Sequence, residues 1–251
     1  MAQQAISSTT ILLAVVLATI RTSQAQEPAH TPADAPVPTI ETHSGIRTDR
    51  LSRRQLRAWK AIEAIVFATD RPGRLKHPKL HGLWQSLATS GHVVYIQLAE
   101  PKSPWDHEGG RFVIEKFDPR GRRHVAAIWL SPRVIDRALV RSGRPAGADF
   151  IRFAGLRRTE RHAEALGHEL AHAVWALGDA RNARLIEDFS REIRELFVGY
   201  RRTASRVGWR ERMKEDLKRL ESWKNQIEQP AESAEVEIWR ELVDGRERMP
   251  T

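Results

Sequence analysis

The stretch Ala165 to Gly178 (ALGHELAHAVWALG) carries polar side chains at only three positions, His168, Glu169 and His172. Its length and alanine and leucine content predict a helix, and a helix that is apolar on every side belongs in a protein interior. Three ionisable groups in such a helix would each cost several kcal/mol unless something satisfied them. The chain must therefore wrap other elements around this segment and give those three groups a partner.

The three residues spell H-E-x-x-H. Residues four apart on a helix lie one above the other, so His168 and His172 can reach a single point in space. Two imidazole nitrogens at that point suit a zinc ion, which takes nitrogen ligands at about 2.0 to 2.1 Å. Glu169, rotated about 100° from His168, flanks the point and can take a proton from water acidified by the ion. The chain has no cysteine, so a metal here depends on imidazole and carboxylate, and disulfides and cysteine nucleophiles are excluded.

A catalytic zinc site takes a third protein ligand. No histidine follows His172, and Gly178 stands where a third histidine of the longer H-E-x-x-H-x-x-G-x-x-H pattern would be, so a downstream carboxylate is expected. The helix expected to open at Pro230 offers Glu235, which shares a face with Trp239 and Leu242, with Glu232 one turn earlier as the alternative. These features resemble the zincin metallopeptidases, and the segment Ala234 to Arg240 (AEVEIWR) is similar to the third-ligand helices of the gluzincin arm. The resemblance rests on about thirty residues of the active and final helices. It implies His168, His172 and Glu235 as ligands, Glu169 as general base and a peptide or protein substrate. It also implies a small sheet whose edge strand, here Arg123 to Leu130, lies beside the active helix. Tyr200, and after it Arg240, are the expected groups for stabilising the transition state. A catalytically inactive zincin-fold scaffold of the cell envelope is the alternative reading.

Elsewhere the chain reads as one α+β domain, a small antiparallel sheet followed by a mainly helical C-terminal half. Leu51 to Ala68 has helical spacing. His92 to Leu98, Arg111 to Phe117 and Arg123 to Leu130 read as strands, the last two joined by a turn at Asp118-Pro119-Arg120-Gly121. Ser131-Pro132 opens a short helix, and helices are expected at Thr159 to Leu177, Ala183 to Tyr200, Trp209 to Ile227 and Pro230 to Val243. His77 and His81 are expected in a loop, because Pro78 falls between them.

Ahead of this domain, residues 1–25 contain the apolar run Ile11 to Ile20 followed by Ser23-Gln24-Ala25, the pattern of a cleaved secretory signal. Residues 26–50 are a Pro-rich segment expected to be a disordered linker, so the folded domain is expected to span 51–251 and to be secreted or periplasmic. No integral membrane span is expected after cleavage. The net charge of +9 favours anionic surfaces, but its basic residues alternate with acids, as on solvated helix faces, and no nucleic-acid partner is expected.

Overall fold

The computed structural model describes residues 45–99, 109–140, 155–203 and 209–247. The segments expected as signal and, up to residue 44, as linker lie outside the described residues. The elements run β1 (Ile46–Arg47), α1 (Arg53–Val66), β2 (Thr69–Arg71), β3 (Arg74–Leu75), α2 (Pro78–Ala88), β4 (Val93–Leu98), β5 (Gly110–Lys116), β6 (Val125–Leu130), α3 (Pro132–Val140), α4 (Arg158–Gly178), α5 (Ala180–Thr203) and α6 (Trp209–Glu247). The fold is α+β, with a small sheet and a helical C-terminal half. No helix among the described residues is long and apolar enough to cross a membrane.

The sheet corrects the expectation of an antiparallel arrangement. Its order is β1-β4-β6-β5, with β1 parallel to β4, β4 parallel to β6, and only β5 and β6 antiparallel. The hairpin forms as the turn residues require, but β6, not β5, inserts beside β4. Composition explains the choice: β6 reads VAAIWL, an unbroken apolar run suited to a strand with neighbours on both sides, whereas β5 reads GRFVIEK and carries its charges at the rim. The edge strand is therefore β5, not Arg123 to Leu130.

Four further elements were not legible in the sequence. Strand β1 places Ile46 in the core at 4% exposure, and a Cβ on Gly45 would lie 2.4 Å from the Leu87 carbonyl oxygen. The fold thus begins before Leu51, inside the segment expected as linker. Strands β2 and β3 form a short hairpin. Helix α2 opens at Pro78 and buries Leu80, Trp84 and Leu87. Proline at the first helical position lacks only an N–H that has no helical partner there, so Pro78 starts a helix where a loop was expected. Stacking of Trp59 on Trp84, with centroids 5.6 Å apart, joins α1 to α2.

His77 sits at the N-terminal cap of α2 and is 5% exposed. Burial, reinforced by neighbouring Lys76, lowers its pKa to about 4 from 6.5. The unfolded chain then takes up this proton before the folded chain does, so the stabilisation is complete above about pH 6.5 and is lost as pH falls toward 4. At 1.36 kcal/mol per unit the loss is about 3 kcal/mol. Urea unfolding near neutral pH and near the folded-state pKa should show this difference, reduced in His77→Phe; an unchanged pH dependence in the variant would assign the effect elsewhere.

Helix α4 is the axis of the domain. Its buried residues run from His162 to Leu177, and β5, β6, α1, α2, α3, α5 and α6 all pack against it. At its start the Glu160 carboxylate accepts the Arg157 N–H at 2.6 Å. At its end His92 ties it to the sheet: its Nε2 lies 2.9 Å from the Leu177 carbonyl, and its Nδ1 accepts the His124 N–H at 3.1 Å. Since Nδ1 accepts, Nε2 carries the proton that faces the Leu177 carbonyl. The apolar all-round helix thus ends up where hydrophobic burial requires it.

Candidate metal centre

His168 and His172 stand on adjacent turns of α4 with their rings edge to face, centroids 4.7 Å apart. Their Nε2 atoms are 3.1 Å from one another. Two neutral imidazoles can satisfy such a contact only if one donates its proton to the other; a cation between them satisfies both lone pairs.

The third corner is Glu228. Its Oε2 lies 3.5 Å from His168 Nε2 and 3.4 Å from His172 Nε2. Ligand atoms placed tetrahedrally at about 2.0 to 2.1 Å around one ion are separated by roughly 3.3 to 3.4 Å. The observed separations of 3.1, 3.4 and 3.5 Å bracket that value. His168, His172 and Glu228 therefore form a group that could hold a metal ion. Burial opposes ionisation of Glu228, but its proximity to the imidazoles of His168 and His172 outweighs it and holds its carboxyl well below the ordinary carboxylate range.

Glu235, the expected third ligand, is placed elsewhere. Its Oε2 accepts a hydrogen bond from His168 Nδ1 at 2.7 Å, on the opposite edge of the ring from the nitrogen that faces His172 and Glu228. A carboxylate there fixes the tautomer, leaving the Nε2 lone pair free to ligate, and raises the basicity of that nitrogen. His172 has no such support: its Nδ1 is buried without a hydrogen-bond partner among the described residues. Glu232 is exposed to solvent.

The error over Glu235 follows from Pro230. Proline removes a helical hydrogen bond and crowds the preceding turn, so the sequence predicts two helices with Glu228 in the connection. Instead α6 is one helix of 39 residues with Pro230 inside it. Glu228 and Glu235 then lie two turns apart along one side. The intervening and flanking buried positions Ile227, Ala231, Ala234 and Ile238 belong to the part of α6 that packs on α4. Gly167 permits the close crossing, since a Cβ there would lie 2.5 Å from Ile238 Cδ1. Farther along, Glu241 Oε1 accepts the Lys79 N–H at 2.8 Å and Glu237 pairs with Lys79 Nζ at 2.8 Å, tying α6 to the start of α2.

Glu169 is 6% exposed and faces the edge strand. A Cβ on Gly110, the first residue of β5, would come within 2.6 Å of Glu169 Oε1 and 2.8 Å of its Cγ. Only glycine leaves room for the carboxylate in this position. Because the conflict reaches back to Cγ of this buried side chain, Gly110→Ala should displace the carboxylate at a stability cost of about 1 to 3 kcal/mol. Misplacing a catalytic group by about 1 Å can cost about 100-fold in rate, so we expect turnover to fall by about 10- to 100-fold with metal content unchanged. Normal turnover in Gly110→Ala would show that this contact does not position the base.

An open groove of about 680 Å³ runs along α6 past Lys218, Ser222 and Asn225 and reaches Glu228, but not His168 or His172. Of the residues expected to stabilise a transition state, Arg240 is exposed on α6, and the side chain of Tyr200 lies outside the described part of the chain. Glu228 and Gly110 escaped the sequence reading. The spacing Glu228-x6-Glu235 on the face opposite two histidines could have pointed to the first; no local signal marks the second.

No family model, curated protein or solved structure matches this chain. The site must be judged on its own chemistry.

Proposed function

We propose that this chain is a zinc-dependent metallopeptidase that works outside the cytoplasm, holding its metal through His168, His172 and Glu228. The observation that carries the reading is the triangle of two imidazole nitrogens and one carboxylate oxygen, spaced for one tetrahedral ion. Two nitrogens and one oxygen favour zinc over the hard, oxygen-loving calcium and magnesium. A zinc ion held there supplies acidified water and polarises a carbonyl oxygen.

The protein's own groups perform the remaining steps. Glu169, one residue from a ligand, takes the proton of the attacking water and passes it to the leaving amine. Glu235 keeps the His168 ring in one orientation and one tautomer. Strand β5 is one edge of the described sheet and starts beside Glu169. An extended peptide added to that edge would run past the base with its amides bonded to backbone. The residues of β6, internal to the sheet, cannot serve in this way. Export rests on the Ile11 to Ile20 run and the small residues before Gln26.

The test is metal content and turnover measured together. Purified protein should contain about one equivalent of zinc, as two histidines and one carboxylate provide for one site, and His168→Ala should lose it. A chelator should abolish cleavage of a mixed peptide library, followed by mass spectrometry, and stoichiometric zinc should restore it. Full activity in protein stripped of metal would end this reading.

A further inference from the structure

The hairpin turn between β5 and β6 concentrates positive charge at the far end of the edge strand from Glu169. Arg120, Arg122 and Arg123 are exposed there, with Lys116 at the end of β5. The turn rests on the first residue of α5, a Cβ on Gly121 falling 3.2 Å from Ala180 Cβ, and exposed Arg181 and Arg184 follow at once. No ion pair to any of these cations occurs among the described residues.

The neighbouring acids do not neutralise them. Asp118 accepts the backbone N–H groups of Arg120, Arg122 and Arg123 at 2.9 to 3.0 Å, and these bonds hold its carboxyl below the ordinary range. Asp179 accepts the Arg181 N–H at 2.7 Å, and Glu115 is paired with Arg50 at 2.8 Å. The backbone of the turn is thus fixed by Asp118 while its guanidinium groups stay available. A cluster of guanidinium groups on a fixed turn is suited to bidentate contact with carboxylates.

We propose that this cluster is a docking surface for an acidic segment of the polypeptide substrate, a proposal that rests on the peptidase reading above. Geometry sets where the acidic segment falls. From Gly110 to Lys116 the strand advances about 20 Å at roughly 3.3 Å per residue. A peptide paired along the β5 edge with its scissile bond beside Glu169 therefore brings residues about six positions away to Lys116, Arg120, Arg122 and Arg123.

Substituting the arginine side chains leaves the backbone bonds to Asp118 in place, so the variants keep the turn. Fluorescence anisotropy in the full-length Glu169→Gln background reads the docking directly. The probes are two fluorescein-labelled peptides, one an alanine run followed by an equally long glutamate run, the other with glutamine in place of every glutamate. The glutamate probe should bind about tenfold more tightly at low salt, as several exposed ion pairs together allow. Arg120→Ser/Arg122→Ser/Arg123→Ser should remove most of that preference. A control with the same loss of charge on α1, Arg53→Ser/Arg54→Ser/Arg57→Ser, should retain it. In the wild-type enzyme, peptides with a glutamate run about six residues from the cleaved bond should show a lower KM at unchanged kcat. Equal binding of the two probes, equal loss in both triple variants, or tighter binding of a single-stranded oligothymidylate through the same arginines would overturn the proposal. Failure of the zinc and turnover test is separate: it removes the peptidase while the anisotropy result still decides whether the arginines bind acidic peptide.

Discussion

Glu228→Ala should lose zinc affinity by at least about 1,000-fold, because a site reduced to two imidazoles lacks its only anionic ligand. Glu235→Ala should lose about 10- to 100-fold, the range expected when a carboxylate that orients a ligating histidine is removed. Glu232→Ala should bind as the parent does, since that side chain is exposed. Competition against a chromophoric chelator gives all three values in one experiment. The ordering is the informative part: Glu228 meets both Nε2 atoms, whereas Glu235 meets Nδ1 of His168. A reversed order, with Glu235→Ala the more damaging, would show that the His168 ring turns over when metal binds and that Glu235 closes the site. Glu235→Gln refines the test, because an amide oxygen still accepts from Nδ1 but adds no charge to the ligand; its affinity should fall between those of the parent and the alanine variant.

The second large effect is expected at Glu169. Glu169→Gln keeps the size of the side chain and removes its capacity to accept a proton, so zinc content should be unchanged while turnover falls by about 100- to 10,000-fold, the usual worth of a positioned general base. Comparison with Gly110→Ala separates the chemistry of the carboxylate from its placement. The glutamine variant should lose the acidic limb of the pH profile for kcat/KM, whereas Gly110→Ala should retain that limb at a lower rate. Undiminished turnover in Glu169→Gln would remove this carboxylate from the role of base. A parent protein that holds zinc yet cleaves nothing would fit the alternative of a scaffold whose role does not need hydrolysis.

Local signals carried a large part of this architecture. The active helix was legible because the run from Ala165 to Gly178 leaves only one solution to the burial of its side chains. The β5–β6 hairpin was legible from Asp118 to Gly121, where an aspartate, a proline and a glycine provide what a tight turn needs; Gly121 does adopt a φ of 67°. Pro78 and Pro230 both mislead, the first by suggesting a loop and the second by suggesting that a separate helix opens there. The first starts a helix, and the second lies inside one that continues through it. At Pro230 a local preference of about 3 kcal/mol against the helix interior is outweighed by packing, through Ile227, Ala231, Ala234 and Ile238 on both sides of the proline. At Pro78 the proline costs nothing at the first position, and Leu80, Trp84 and Leu87 bury the helix that follows.

The sequence by itself determined that His168, Glu169 and His172 share a buried helix, because helical geometry relates residues three and four apart whatever surrounds them. It also determined that a carboxylate must complete any metal site built downstream, since the chain offers no cysteine and no histidine beyond His172. Only the tertiary structure decided which carboxylate meets the imidazoles and which strand borders Glu169. Those choices depend on the continuity of α6 through Pro230, on the close crossing at Gly167 and on the insertion of β6 beside β4. Each is settled between residues distant along the chain, by the joint packing of several elements, and no short stretch of sequence encodes it.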